Sequence, residues 1–595
     1  MGAHVIQPSS SFVDSLMHFQ LRLFSLSLIA GLTLACTATA PVSERDSPVA
    51  GLESAGEARL TEAEIQYGNF SEEQLFQTIT AELQAQQGDI EQASETYYRL
   101  AFDTRDLGIV QRATQFASAA GDLNGMIQLG VLWTELDATD INPHLMVSYQ
   151  LLEAGRFEDA VNHMARIIDL GGQIDFSAIS RRTERLNTER RNRLIESLRD
   201  LHQLYRDEDS IHYSIVQLLD QNQQTQDALI ELQSLRQSYG DSPPIVLIES
   251  QLLQKLERTD RALRVLRDGV RKFPKDKPLR FTYARNLVQA DDYRTAKRQF
   301  EILVEQDPND FETMYSIALL DLEMEDFDEA RSYFERLLQA NHRTEDAHYY
   351  LGYINEQLQR LEEAIRHYRA VPIGTANFVA AQQQATRFSI ELGELDEAHD
   401  WLVNLSRGQP RLEVVFTSIE AAALMEAGEF ERTRELLNEM LDRYPNDVDL
   451  LFARVLMHDN LGDMASSELD LRQIIAVNPN DARALNHLGY MLADRTTRFA
   501  EALELIERAI VLSPDDPAII DSLAWAQYKL GRNEEALLNL RRAFAAFPDH
   551  EVASHLGEVL WVLGRQQEAV QVWTDALQER PDSELLKNVM ERFQP

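Results

Sequence analysis

The hydrophobic pattern of the chain is clearest between Ala482 and Pro548. The stretch contains LNHLGYMLADRTTRFAEALELIERAIVLSP and then IIDSLAWAQYKLGRNEEALLNLRRAFAAFP. Each copy runs through an apolar stretch, a turn, a small residue, a second apolar stretch and a Pro. Ala502 and Ala536 stand at the same point of the two copies, 34 residues apart. The same point recurs at Ala93, Met126, Ala160, Leu194, Ala228, Ala262, Ala296, Ala330, Ala364, Ala398, Thr433, Ser467 and Ala569. A small side chain there lets two helix backbones approach closely. Five residues earlier stands Gly88, Gly121, Gly155, Gly393, Gly428, Gly462, Gly531 or Gly564. A Gly in that place ends the first helix in a left-handed conformation. Twelve residues after the mark stands Pro274, Pro308, Pro445, Pro479, Pro514, Pro548 or Pro581. Pro cannot continue the second helix, so it separates one unit from the next. The pattern predicts helix pairs along nearly the whole chain, with looser pairing at Met126 and Leu194.

A helix–turn–helix unit with this period resembles the tetratricopeptide repeat (TPR). The expected fold is all-α, a TPR solenoid forming a right-handed superhelix of helix pairs. Each unit buries its face against its neighbours, so 595 residues need no single core. Partly degenerate helical repeats are expected over 62–240 and a regular array over 241–581. The ending DSELLKNVMERF reads as a capping helix within 582–595.

The net charge of −40 argues against nucleic-acid binding, which calls for a basic surface. One stretch reverses that sign. Between Lys255 and Arg298 there are 14 Lys or Arg against 6 Asp or Glu. Helical spacing places Arg258, Arg261, Arg264, Arg267 and Arg271 on a common side, either as a solvated face or as a basic patch for an acidic protein segment. Further candidates come from the repeat register. Phe281, Tyr315 and Tyr349 stand at one height of three successive first helices, with Tyr353 a turn beyond Tyr349. Tyr490, Trp525 and Tyr528 follow in later units. Aromatics on a groove face bury much area at low entropy cost, which suits capture of a peptide or protein. In the first helix, Leu75, Ile79 and Leu83 share one face, either as part of a terminal cap or as a docking edge.

The only Cys is Cys36, behind the apolar run LRLFSLSLIAGLTLA. That run has signal-peptide length and is short for a membrane span. Leu32-Thr33-Leu34-Ala35-Cys36 resembles a bacterial lipobox, although Thr33 stands where Leu is usual. The resemblance implies a signal peptide over 1–35, lipid on Cys36 and, with Thr37 following it, an outer-membrane address on the periplasmic face. The alternative is an ordinary signal peptide cleaved near Ala38 or Ala40. Met17 is a candidate start of translation. Residues 36–61 are rich in Ala, Ser, Pro and Glu and read as a flexible tether. There is no GxSxG, Walker A loop, HExxH or CxxC. Neither catalysis nor a cofactor or metal is expected.

Lipobox, tether and repeats together are similar to the LbcA-like family, large outer-membrane TPR lipoproteins of proteobacteria. The stretch ALNHLGYMLADRTTRFAEALELIERAIVLSPDDPAIIDSLAWAQYKLGRNEEAL resembles their C-terminal signature. This family implies an adaptor that holds a periplasmic carboxyl-terminal processing protease and presents protein substrates, among them peptidoglycan hydrolases. An outer-membrane scaffold for envelope assembly or exopolysaccharide export is the other reading.

Overall fold

The computed structural model describes residues 70–184 and 186–593. The signal-peptide, tether and Cys36 assignments lie outside the described residues. Those described form 31 helices and no strand, in repeated helix pairs, and fall into two compact units, 70–333 and 334–593. The fold is an all-α TPR solenoid.

All fifteen marked positions are buried. Fourteen have 0 or 1 % exposure, and Met126 has 9 %. The eight turn glycines have φ between +68° and +92°. Five units without that Gly keep the same turn. Gln223, Glu257, Asp291, Glu325 and Gln359 take φ of +56° to +62°, each five residues before its marked Ala. A left-handed backbone at a residue with a Cβ costs roughly 1 kcal/mol, so the turn is set by the helix pairing, and Gly only makes it cheaper. Two units depart from the rule. Before Ala502 the first helix ends on extended Thr496, φ −137°, which accommodates the extra residue. Before Leu194 the expected first helix shrinks to Ser177–Ser180. There, side chains of helix Asp209–Gln221 serve the loop backbone. Ser214 Oγ donates to the Phe176 carbonyl at 2.7 Å, and Gln221 Nε2 to the Ser180 carbonyl at 2.8 Å.

Each of the seven marked prolines stands two residues past the last residue of its second helix. Its carbonyl has a further use in four of them. Gln306, Gln473, Arg508 and Arg542 donate to the carbonyls of Pro274, Pro445, Pro479 and Pro514. Each donor lies on the second helix of the following pair, so each bond ties neighbouring units together. Two residues beyond four of these prolines, Asp276, Asp447, Asp481 and Asp516 accept from the first backbone N–H groups of the next helix. Part of the chain's acidity is therefore N-cap chemistry, favourable at the positive end of a helix.

Candidate protein-binding face

In unit 334–593 the first helices of successive pairs lie side by side, Ala482–Arg495 against Pro517–Lys529 and that one against His550–Val562. The predicted Tyr490, Trp525 and Tyr528 meet on these helices. Trp525 is only 5 % exposed and so offers little surface, because it stacks on His555 with centroids 4.0 Å apart. Its Nε1 donates to Asp494 at 3.3 Å, and Lys529 Nζ lies 4.5 Å from its ring centre. Half-buried Tyr490 reaches two repeats onward and donates to Glu551 at 2.6 Å. Tyr528 donates to buried Glu558 at 3.0 Å, and Arg592 of the final helix pairs with the same carboxylate. Burial, then Glu558, pushes the Tyr528 hydroxyl up to about 12. Burial and Glu551 hold the Tyr490 phenol far above its ordinary value.

Asp521 shares the groove register of these aromatics, and its partner His555 is the residue that sequence reasoning passed over. Both are buried, and His555 Nδ1 lies 2.9 Å from the Asp521 carboxylate. Burial works against the imidazolium, but the charge and hydrogen bond of Asp521, with Glu551 and Asp494 beyond, raise its pKa. The signal was in the register: Asp521 and His555 are 34 residues apart, one unit, at the height of the aromatic ladder. Asn486 holds the equivalent place one unit earlier, and its Oδ1 is buried without a hydrogen-bond partner.

In the same unit, Tyr349 packs edge-on against Tyr350 and Tyr368, with centroids 5.6 and 5.8 Å away, and is half-buried, as is Tyr353. Close by, Glu356 accepts from Tyr368 at 2.7 Å and from Arg387 at 3.1 Å. A separate cleft of about 270 Å³ opens over Leu402, Phe416 and Met440, with the His399–Glu420 pair at its edge. The hydrogen bond to Glu420 raises the His399 pKa.

In unit 70–333, Phe281 is half-buried and meets Phe300 edge-on at 5.7 Å, whereas Tyr315 is 7 % exposed and offers little surface. The first helix, Glu72–Gln86, leaves Leu75, Ile79 and Leu83 more than half exposed, together with Phe76, which the sequence reading did not single out. Arg258, Arg261, Arg264, Arg267 and Arg271 are all exposed. Among the described residues, no group of three or more His, Cys, Asp or Glu is placed to hold a metal ion. No helix among them is long and apolar enough to cross a membrane.

The tetratricopeptide repeat family profile matches residues 315–377, 458–517 and 522–584. The TPR repeat-containing protein PA4667 of Pseudomonas aeruginosa is 38 % identical over 492 residues, covering 83 % of each chain. Among solved structures, the Naa15/Naa10 complex bound to HypK-THB aligns at 15 % identity and TM-score 0.38, over 70 % of each chain. A TPR protein of Parabacteroides merdae aligns at 18 % identity and TM-score 0.32, over 42 % of this chain and all of that one. On the fold, the profile and the extended Pseudomonas match, the chain belongs to the tetratricopeptide-repeat proteins.

Proposed function

We propose that the chain is a non-catalytic adaptor of the LbcA-like kind. It is lipid-anchored through Cys36 at the periplasmic face of the outer membrane. It binds a periplasmic carboxyl-terminal processing protease and delivers protein substrates such as peptidoglycan hydrolases. TPR proteins bind other proteins, and the extended match to a Pseudomonas TPR protein agrees with a proteobacterial setting. The observation that carries the reading is the bare apolar face of the first helix. Leu75, Phe76, Ile79 and Leu83 project more than half exposed from a chain of net charge −40. An apolar face of that kind on a strongly charged protein marks an interaction site. The half-buried, carboxylate-lined Tyr490 and Tyr528 supply a second surface, so protease and substrate are held at different places. Tethering both raises their effective concentration without any new contact between them.

The test is reconstitution. The protease and a candidate hydrolase are mixed with and without the chain, and hydrolase loss is followed on a gel. Cleavage should depend on the chain and should be lost with Leu75→Ser and Ile79→Ser together. Cleavage that proceeds equally without the chain, with no co-elution of chain and protease, would remove this reading.

A further inference from the structure

The adaptor reading leaves the charge reversal within unit 70–333 unexplained. It centres on the second helix Thr259–Lys272. Ala262, Leu266, Gly269 and Val270 form its buried side. Arg261, Arg264, Arg267 and Arg271 point outward and are exposed. Arg264, Arg267 and Arg271 are spaced i, i+3, i+7, a single stripe along the helix. From Arg261 to Arg271 that stripe is about 15 Å long at the helical rise.

The stripe is poorly neutralised. Asp268 is shared by Arg267 at 3.4 Å and Arg271 at 3.7 Å. Among the described residues, no carboxylate lies within ion-pair distance of Arg261 or Arg264. Nearby cations behave differently, since Lys255, Lys272, Lys277 and Lys297 pair with Asp220, Asp241, Asp307 and Asp321. Acid stands nearby without closing on the stripe: buried Glu249 of helix Pro243–Lys255 lies in the field of Arg261 but is paired to Arg236 at 2.6 Å, and Asp227 and Glu305, exposed on the flanking second helices, make no ion pair with it. Arg258 reaches helix Thr225–Tyr239 through Gln226, and the outward residues there include Gln226, Ile230, Gln233 and Gln237. On the other side, Gln306 of helix Tyr293–Gln306 binds the Pro274 carbonyl, and that helix exposes Arg294 and Arg298.

We propose that this stripe docks a carboxylate-rich segment of a partner protein. The occupant is argued from charge complementarity. Four guanidiniums in a row offer forked donors matched to carboxylates in a way that lysines do not. The stripe is one helix wide, which fits an extended or helical segment. A flat anionic bilayer would also meet the rest of a chain that carries −40 overall. The site lies on a second helix and uses none of the aromatic residues of the first helices. It is thus a third contact, independent of the apolar N-terminal face.

The experiment uses the whole soluble chain and a labelled Glu-Ser repeat peptide long enough to span the stripe, read by fluorescence anisotropy. The Gln-Ser peptide is the control. The peptide should bind, lose about tenfold in affinity between low and moderately high salt, and bind about tenfold or more weakly to a chain carrying Arg261→Gln, Arg264→Gln, Arg267→Gln and Arg271→Gln. All four side chains are exposed, so an unchanged circular-dichroism melt serves as the folding control. Equal binding by the variant overturns the proposal, as does no binding by the native chain at the highest soluble peptide concentration. Arginine-dependent binding to phosphatidylglycerol vesicles without peptide binding would assign the stripe to a membrane instead. Arginine-dependent self-association in light scattering would assign it to a second copy, and either result likewise overturns the proposal.

Discussion

Gly557→Ala pits two rules against each other. Gly557 lies inside helix His550–Val562, where replacing Gly by Ala ordinarily stabilises by about 1 kcal/mol. Here a Cβ would come within 2.0 Å of Trp573 Nε1 and 2.3 Å of its Cε2. Trp573 has no room to yield. It is fully buried, its Nε1 donates to the Ser554 carbonyl at 3.3 Å, and it stacks on Trp561 and Phe593, both at 5.9 Å. Overpacking costs about 1–3 kcal/mol, and loss of the indole hydrogen bond adds about 1 kcal/mol. Against the propensity gain, the net is a destabilisation of about 2 kcal/mol. A solenoid opens unit by unit, so the loss is local. Hydrogen exchange read by mass spectrometry should show protection falling across 550–593 and holding in 344–406. In a Trp573→Leu background the added methyl should cost much less, because the ring it strikes is gone. If Gly557→Ala raises or preserves protection in the native background, the close approach of these two helices is not what demands Gly there.

Four other outcomes follow from the geometry. Burial lowers His163 and His367 to about 4, each beside a second histidine with Nδ1 atoms 3.0 and 3.2 Å apart, so between pH 6.5 and 4 the unfolded chain takes up more protons and stability falls with falling pH; the double variant His163→Gln, His367→Gln should flatten that slope in melts read at successive pH values. Lys297 Nζ lies 2.6 Å from fully buried Asp321, whose pKa burial raises to about 6; Lys297→Met should cost about 3–5 kcal/mol at pH 8 and clearly less at pH 5, where the carboxyl takes a proton, as measured by urea unfolding. Asp481 caps its helix through the Ala484 N–H at 2.9 Å, and Asp481→Ala should cost about 1 kcal/mol, seen as faster exchange at the start of helix Ala482–Arg495. Glu257 holds φ +56°, so Glu257→Gly should stabilise by up to about 1 kcal/mol in the same unfolding assay, less what Gly adds to the freedom of the unfolded chain.

The repeats were legible because each of their signals has a local cause. A small residue at a helix crossing, a left-handed turn and a helix-ending Pro recur on a fixed beat, and the structure places all three in that register. The turn itself was harder to read. Gln223, Glu257, Asp291, Glu325 and Gln359 adopt it without Gly, since packing of the helix pair outweighs a cost of roughly 1 kcal/mol per turn. Nor did the pattern disclose that the helix before Leu194 would shrink to Ser177–Ser180. That loop is held by Ser214 and Gln221, which come from the next pair and bear no mark of the partnership in sequence.

The aromatic face shows where register alone stops being informative. Position in the repeat brings Tyr315 and Tyr349 to one height of their helices, but exposure depends on the neighbours that cover each ring. Tyr315 is 7 % exposed while Tyr349 is half-buried against Tyr368. The same limit applies to charge. Arg190 and Arg191 also stand in a basic run. The structure spends Arg190 on the Gly155 carbonyl and Arg191 on the carbonyls of Gln221 and Leu186. Arg261 and Arg264 stay outward, because their helix buries Ala262, Leu266, Gly269 and Val270, and among the described residues neither of the two makes an ion pair. A basic run in a repeat protein becomes a candidate surface only after the caps and inter-repeat ties have taken their share. By that criterion the stripe on Thr259–Lys272 qualifies, and the arginines at 190 and 191 do not.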